Sequence, residues 1–135
     1  MIKLIDLLYE NSSIAFDKID KLPKGKIFDD AKNIENVFKK SKHTWNEVIN
    51  AYEQNKDTGE LTTVDLYDIQ ITQPNIQANK AKQMVKDINN LPTINVVEFN
   101  NGEKVIYDGH HRLIANWAVD NNEIEVNLIK APLSN

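Results

Sequence analysis

The stretch from Asp108 to Arg112 gathers residue types that can handle a phosphate group. It reads Asp-Gly-His-His-Arg and holds the single arginine of the chain, two of its three histidines and one of its four glycines. A glycine lets the backbone approach a ligand closely, and an arginine offers a planar fork of donors that suits phosphate oxygens. Histidines donate hydrogen bonds or exchange protons near neutral pH. The segment therefore predicts an anion site.

Two interpretations of this segment stay open on local chemistry alone. In the functional one, Gly109 and Arg112 hold a phosphate together with both histidines, and the catalytic candidates are Asp108, His110 and His111. Asp108 would then act as a general base or bridge to a metal ion. In the structural one, Asp108 caps a helix, Gly109 makes a turn and His110 is an ordinary buried histidine. Neighbouring side chains cannot all point at one ion, so we predict no metal site.

An alternation of strands and helices must position this segment. Asn101-Gly102 is a strong hairpin signal between two strands, and a helix opens after Gly109. The predicted order is β-α-β-β-α-β, with strands at 62–71, 93–99, 104–107 and 124–129 and helices at 75–88 and from Gly109 to Ala118.

The residues before Gly59 have helical spacing. Apolar residues between Ile2 and Leu8 predict an amphipathic helix, which we expect to break at 11–13. A turn is predicted at 22–25. The part of the chain before Gly59 is expected to form three or four short helices.

Two of those helices lie after the turn. Residues 34–38 show one short helical face, and Thr44 is a fair N-cap for another. Trp45 and Tyr52 recur at helical spacing in that second helix, where they either pack in the core or serve as exposed anchors. Together these patterns predict an α+β fold.

Composition is that of one small globular chain. It has 135 residues, 41% of them apolar, and a net charge of −4. We expect a helical N-terminal region at 1–58 packed on an α+β core at 59–135. Mild acidity argues against a domain that grips duplex DNA by bulk charge. The absence of cysteine excludes disulfides, thiol nucleophiles and cysteine-ligated zinc.

The second half, from about Thr62 to Lys130, resembles the ParB/sulfiredoxin fold, including the ParB-like nuclease domains. Thr72-Gln73-Pro74 is similar to the Gln-Pro step that ParB proteins place before their first core helix. The segment from Asp108 to Ala115 is similar to the family's Gly-x-x-Arg-x-x-Ala box between strand and helix. The resemblance implies a nucleotide or phosphate ligand at the second box, with Gln73 on the opposite wall.

The residues at 109–112 differ from the pattern of some branches of the family, which reduces the number of ligands and reactions that the resemblance implies. Sulfiredoxins carry Gly-Cys-His-Arg, and His110 replaces the catalytic cysteine, so sulfinic acid reduction is excluded. CTP-hydrolysing ParB proteins carry Gly-Glu-Arg-Arg, and their first box usually ends in Arg where this chain has Asn75, which disfavours CTP switching on DNA. Amino-acid kinases of this fold carry Asp-Gly-His-x-Arg, and short phage or plasmid proteins carry Asp-Gly-His-His-Arg. Both patterns match this chain.

Three functions follow. The leading one is a nucleotide- or nucleic-acid-phosphate-binding protein that takes ATP, ADP or CTP with magnesium, with hydrolysis or phosphoryl transfer as the reaction if it is an enzyme. The second is a non-enzymatic phage structural or host-interaction protein whose N-terminal helices bind a protein partner. The third, a nuclease, ranks lower because the sequence lacks a cluster of metal-binding carboxylates.

Lysines 80, 82 and 86 either add positive potential near the site or form a solvated helix face.

Expectations about location rest on what the sequence lacks. No run approaches the length of a membrane span, and the first residues do not read as a signal peptide, so we expect no membrane partner. A single arginine among sixteen basic residues indicates AT-rich coding, typical of a low-GC bacterium, its phages or its plasmids. The expected location is the cytoplasm of a bacterial host, or a virion.

Overall fold

The computed structural model describes residues 4–26 and 31–131, with side chains from residue 12 onward. The part described is a mixed α+β structure, which confirms the predicted class. Its helices and strands, in chain order, are α1 Leu4–Asp20, β1 Ala31–Asn33, α2 Trp45–Asn55, β2 Glu60–Asp65, β3 Ile69–Gln70, β4 Asn75–Gln77, α3 Ala78–Lys86, β5 Ile94–Glu98, β6 Lys104–Asp108, α4 His110–Ala118 and β7 Glu123–Lys130.

Five strands form the main sheet, in the order β2-β7-β5-β6-β3. β5 and β6 are an antiparallel hairpin, as predicted, and Gly102 in their turn has a φ of 86°. β7 pairs parallel with β5 and antiparallel with β2, while β3 pairs parallel with β6. The short strands β1 and β4 form a separate antiparallel pair.

Side chains alternate between the two faces of the sheet and build a core on each. Val96 and Ile106 belong to the larger core, which α3 and α4 cover. Val97 and Val105 belong to the smaller core, where Val48 of α2 packs. Helix α1 packs against α3 and α4. The layers are thus α2, the sheet, α3 with α4, and α1.

Two predictions about the N-terminal region are wrong. The break at 11–13 does not occur, because α1 continues through these residues; the small helix penalty of serine and asparagine is outweighed by packing of the helix on α3 and α4. Ile2 lies outside the described residues. The predicted helix at 34–38 is a single turn, in which the Phe38 amide donates to the Ile34 carbonyl. Strand β1 precedes it, so the region is not simply three or four helices.

The cap prediction for the second helix is confirmed. Thr44 caps α2, and Glu47 completes a reciprocal capping box with it.

Two predicted elements of the second half are shorter than expected. The strand at 62–71 is interrupted by a 3₁₀ turn over Leu66–Asp68, where the Asp65 carboxylate accepts from the Tyr67 amide. Its two parts, β2 and β3, lie at opposite edges of the sheet. The helix at 75–88 begins only at Ala78, because the residues before it pair with β1 as β4.

Across residues 4–26 and 31–131, no helix combines the length and the apolar character that a membrane crossing requires.

Candidate functional site

A cleft of about 600 Å³ lies beside the N-terminal end of α4. All the residues that the sequence singled out for chemistry line it: Gln73, Asp108, Gly109, His110, His111 and Arg112. The remaining lining residues are Trp45, Thr72, Lys80, Met84 and Tyr107. Four elements, α2, β6, α3 and α4, therefore contribute to one cavity.

Gly109 makes the sharp turn from β6 into α4. Its φ is 120°, which side chains rarely adopt. A Cβ at this position would also lie 3.1 Å from the Ile94 side chain and 3.2 Å from Nε of Arg112. The backbone angle therefore favours glycine here, and an added Cβ would also require Ile94 or Arg112 to move by a few tenths of an ångström.

The first turn of α4 presents free backbone donors. The earliest intrahelical bond runs from the Leu113 amide to the Gly109 carbonyl, at 2.9 Å. The amides of His110, His111 and Arg112 precede that bond, and no side chain of the described residues caps the helix. Asp108 therefore does not cap it, contrary to the structural interpretation. The positive end of the helix dipole and its donors favour an anion in the cleft.

Arg112 is largely engaged by the protein itself. Its Nη1 donates to the carbonyls of Pro92, at 3.1 Å, and Thr93, at 2.8 Å. Its Nη2 donates to Oδ2 of Asp108, at 2.9 Å, and its side chain is only 11% exposed. Of the five N–H donors of a guanidinium, the Nε–H and one on Nη2 have no acceptor among the described residues. Arg112 thus links α4 to the loop before β5 through hydrogen bonds, and two of its five donors have no acceptor among the described residues.

His110 is buried, and its Nε2 accepts from the backbone amides of Thr72, at 3.0 Å, and Gln73, at 3.2 Å. Two incoming N–H groups place the ring proton on Nδ1. Burial, and then the neighbouring His111, lower the pKa of His110 to about 4, against a smaller opposing effect of Asp108. His110 is therefore neutral at pH 7 and holds the loop that follows β3.

His111 makes a similar contact with the last residue of β4, four residues after Gln73. Its Nε2 accepts from the Gln77 amide, at 3.0 Å, immediately before α3 begins. Burial, and then Lys80, lower the pKa of His111 as well. The contact brings the N-terminal ends of α3 and α4 side by side. The sequence patterns did not predict that the two helix ends lie together. The signal that could have indicated it was the pair of adjacent histidines at the start of a helix.

Two further predictions concern the wall and the lysines. Gln73 lies on the cleft wall, where its side-chain amide donates to the Asn75 carbonyl, at 3.0 Å. Of the three lysines, Lys80 is the one that lines the cleft. Lys82 forms an ion pair with Asp20, at 2.6 Å, on the opposite side of α3. Lys86 lies 5.7 Å from the Phe16 ring centroid on that same side.

An aromatic stack at the mouth of the cleft was not predicted. Tyr107 of β6 stacks on Tyr52 with ring centroids 3.8 Å apart and planes within 5°. Trp45 stacks on Tyr107 at 5.7 Å and 12°. Trp45 remains 48% exposed. The helical spacing of Trp45 and Tyr52 was visible in the sequence, but their partner Tyr107 comes from a distant strand.

Magnesium fits the cleft only by way of a ligand. Asp108 is the one carboxylate among the lining residues, and it already pairs with Arg112. Within the described parts of the chain, no group of three or more histidines, aspartates and glutamates is placed to hold a metal ion. A magnesium ion here would depend on phosphate oxygens for most of its coordination.

The sequence matches no protein-family model and no curated protein. The resemblance to the ParB/sulfiredoxin fold stays a prediction. What the cleft can do is therefore argued from its own contacts.

Proposed function

We propose that this protein binds the phosphate groups of a nucleotide at the N-terminal end of α4. The observation that carries the proposal is the set of three uncapped amides, of His110, His111 and Arg112, in the first turn of a helix whose first residues line a cleft of about 600 Å³. Clefts of about 300–1,000 Å³ are typical of small-molecule sites. Lys80 adds a full positive charge to the lining.

Electrostatics beyond these amides also favour an anion. The His111–Gln77 contact places the N-terminal ends of α3 and α4 together, so the positive ends of two helix dipoles act on the same region. Asp108 is the opposing charge in the lining, and its pairing with Arg112 offsets it. The resemblance to the ParB/sulfiredoxin fold, if it holds, implies a phosphate ligand at the same box.

Binding is favoured over turnover. A general base needs a free lone pair within reach of the proton that it abstracts. Both histidines use their one ring lone pair, on Nε2, to accept from backbone amides, whereas Asp108 accepts from Arg112 through Oδ2 alone. We therefore assign His110 and His111 to positioning rather than to proton transfer, which leaves Asp108 as the one candidate base among the lining residues.

Thermal unfolding with and without ligand tests this proposal. Tripolyphosphate, ATP, ADP, CTP and GTP are each titrated with and without magnesium, and a ligand that prefers the folded state raises Tm in a saturable manner. Lys80→Gln is expected to weaken binding about tenfold, through the loss of one charge-assisted contact. Lys86→Gln is the matched control, because it makes the same charge change on the same helix away from the cleft. The affinity of the Lys86→Gln variant for the phosphate ligand should equal that of the wild type.

Equal weakening by the two lysine variants would show that the response is bulk charge rather than a site in the cleft. The absence of any response to phosphate ligands or to oligonucleotides would overturn the proposal and favour the interaction-protein alternative.

A further inference from the structure

We infer that the cleft contains a second subsite, in which Trp45 stacks on the nucleobase of the bound nucleotide. The inference rests on the proposed phosphate site and extends it from an anion to a nucleoside phosphate. It assigns a ligand-binding role to a residue of the N-terminal region, outside the part of the chain that resembles the ParB/sulfiredoxin fold.

Trp45 combines exposure with a fixed orientation. It is the first residue of α2, and about half of its surface is open although it lines the cleft. The Thr44–Glu47 capping box fixes the helix start on which it sits. Tyr107, itself stacked on Tyr52, holds the indole nearly parallel to its own ring. An aromatic face held in place before binding loses little entropy when a ligand stacks on it.

The chemistry of the whole cleft selects the ligand class. The lining combines the first residues of α4 and Lys80, which suit an anion, with Trp45, which offers a flat apolar surface in the same cavity. A nucleoside phosphate carries both matching parts, a charged group and a flat base. Every base has a π-face, so stacking on Trp45 binds a base without reading its identity.

Charge favours a single nucleotide over a long strand. The chain has a net charge of −4, and the side chain of Asp108 at the cleft is 59% exposed. Strand-binding proteins normally carry a basic groove that follows many phosphates. The phosphate subsite described above provides Lys80 and the N-terminal ends of α3 and α4, which suit a single phosphate group better than a series of phosphates.

Tryptophan fluorescence tests the inference, because the chain has two tryptophans. Trp117 lies under Lys18 on the α1 side, so Trp117→Phe leaves Trp45 as the single indole reporter. This protein is titrated with ATP, CTP, tripolyphosphate and a short single-stranded oligonucleotide. Calorimetry measures each affinity in parallel. Base stacking predicts saturable quenching by the nucleotides and none by tripolyphosphate.

Variants of Trp45 show whether nucleotide binding depends on an aromatic ring or only on an apolar side chain at this position. Trp45→Leu should weaken nucleotide binding about 5- to 100-fold and leave tripolyphosphate binding unchanged, whereas Trp45→Phe should retain part of the affinity. Tyr67→Leu is the control, because Tyr67 is an exposed aromatic residue that does not line the cleft. Circular dichroism confirms that each variant is folded.

The outcomes distinguish the two proposals. If tripolyphosphate and nucleotides bind equally well and Trp45→Leu changes neither affinity, the phosphate site stands and the base subsite is overturned. If nothing binds, both are overturned. Quenching by the oligonucleotide at lower concentration than by ATP would support stacking and overturn the preference for a single nucleotide.

Discussion

Consecutive histidines at the start of α4 each accept, through Nε2, from backbone amides of the segment between β3 and α3. His110 contacts Thr72 and Gln73, and His111 contacts Gln77. These bonds require neutral rings, which agrees with the lowering of both pKa values by burial. The pair sets the position of the cleft wall.

Acid should destabilise the fold through His110. Its pKa is about 4 in the folded state and 6.5 for the free group, so the unfolded chain binds the extra proton between these values. Stability should be complete above pH 6.5 and fall by about 3 kcal/mol as pH drops to 4. Urea unfolding across this range measures the change.

His110→Gln is the control, since its side-chain oxygen can still accept from the two amides. It should be less pH-dependent than the wild type between pH 6.5 and 4, because carboxylates contribute equally to both proteins. The same slope in both proteins would contradict the assignment of a buried, neutral His110.

Gly109→Ala should destabilise the protein by about 1–3 kcal/mol, because its Cβ meets both an unfavourable φ and close neighbours. Gly102 is a matched control with positive φ but nothing within 4 Å of an added Cβ. Gly102→Ala should therefore cost less free energy of unfolding. Equal losses in chemical denaturation would show that contact with Ile94 and Arg112 contributes nothing.

At the scale of elements, local signals predicted some structures well. Asn101-Gly102 predicted the hairpin, and Thr44 predicted the start of α2. The interruption at 66–68 and the conversion of 75–77 into β4 depend on partners far away in sequence, β7, β6 and β1. Local propensity carries no information about such partners.

The same distinction applies to the site. Residue types located the cleft at 108–112, but roles depended on distant acceptors and donors. Arg112 was expected to offer its donors to a phosphate, and the carbonyls of Pro92 and Thr93 take two of those donors. Trp45 was not connected to the site, because its partner Tyr107 lies 62 residues further along the chain.

Arg112 joins α4 to the loop that leads into β5. Arg112→Lys keeps the charge but cannot reproduce three directed bonds to Pro92, Thr93 and Asp108. We expect a loss of about 1–3 kcal/mol in the free energy of unfolding, measured with denaturant at pH 7. A stability within 0.5 kcal/mol of the wild type, about the scatter of ordinary surface substitutions, would contradict the clamp.

At the scale of the whole molecule, the cleft lies where helices from both faces of the sheet meet. Trp45 comes from α2 on one face, while Lys80 and the histidines come from α3 and α4 on the other. Trp45 therefore brings one residue of the N-terminal half to the candidate site. The chain has a net charge of −4, whereas the N-terminal end of α4 carries the positive end of a helix dipole, so the two contributions to the electrostatic potential have opposite sign.

Whether the first-turn amides of α4 bind phosphate is tested most directly by ¹H–¹⁵N NMR titration of the labelled chain with tripolyphosphate. Anion hydrogen bonding should give the largest downfield amide shifts at His110, His111 and Arg112, saturating with a single affinity. Unchanged amides at these three residues under a phosphate concentration that saturates shifts elsewhere would contradict the site.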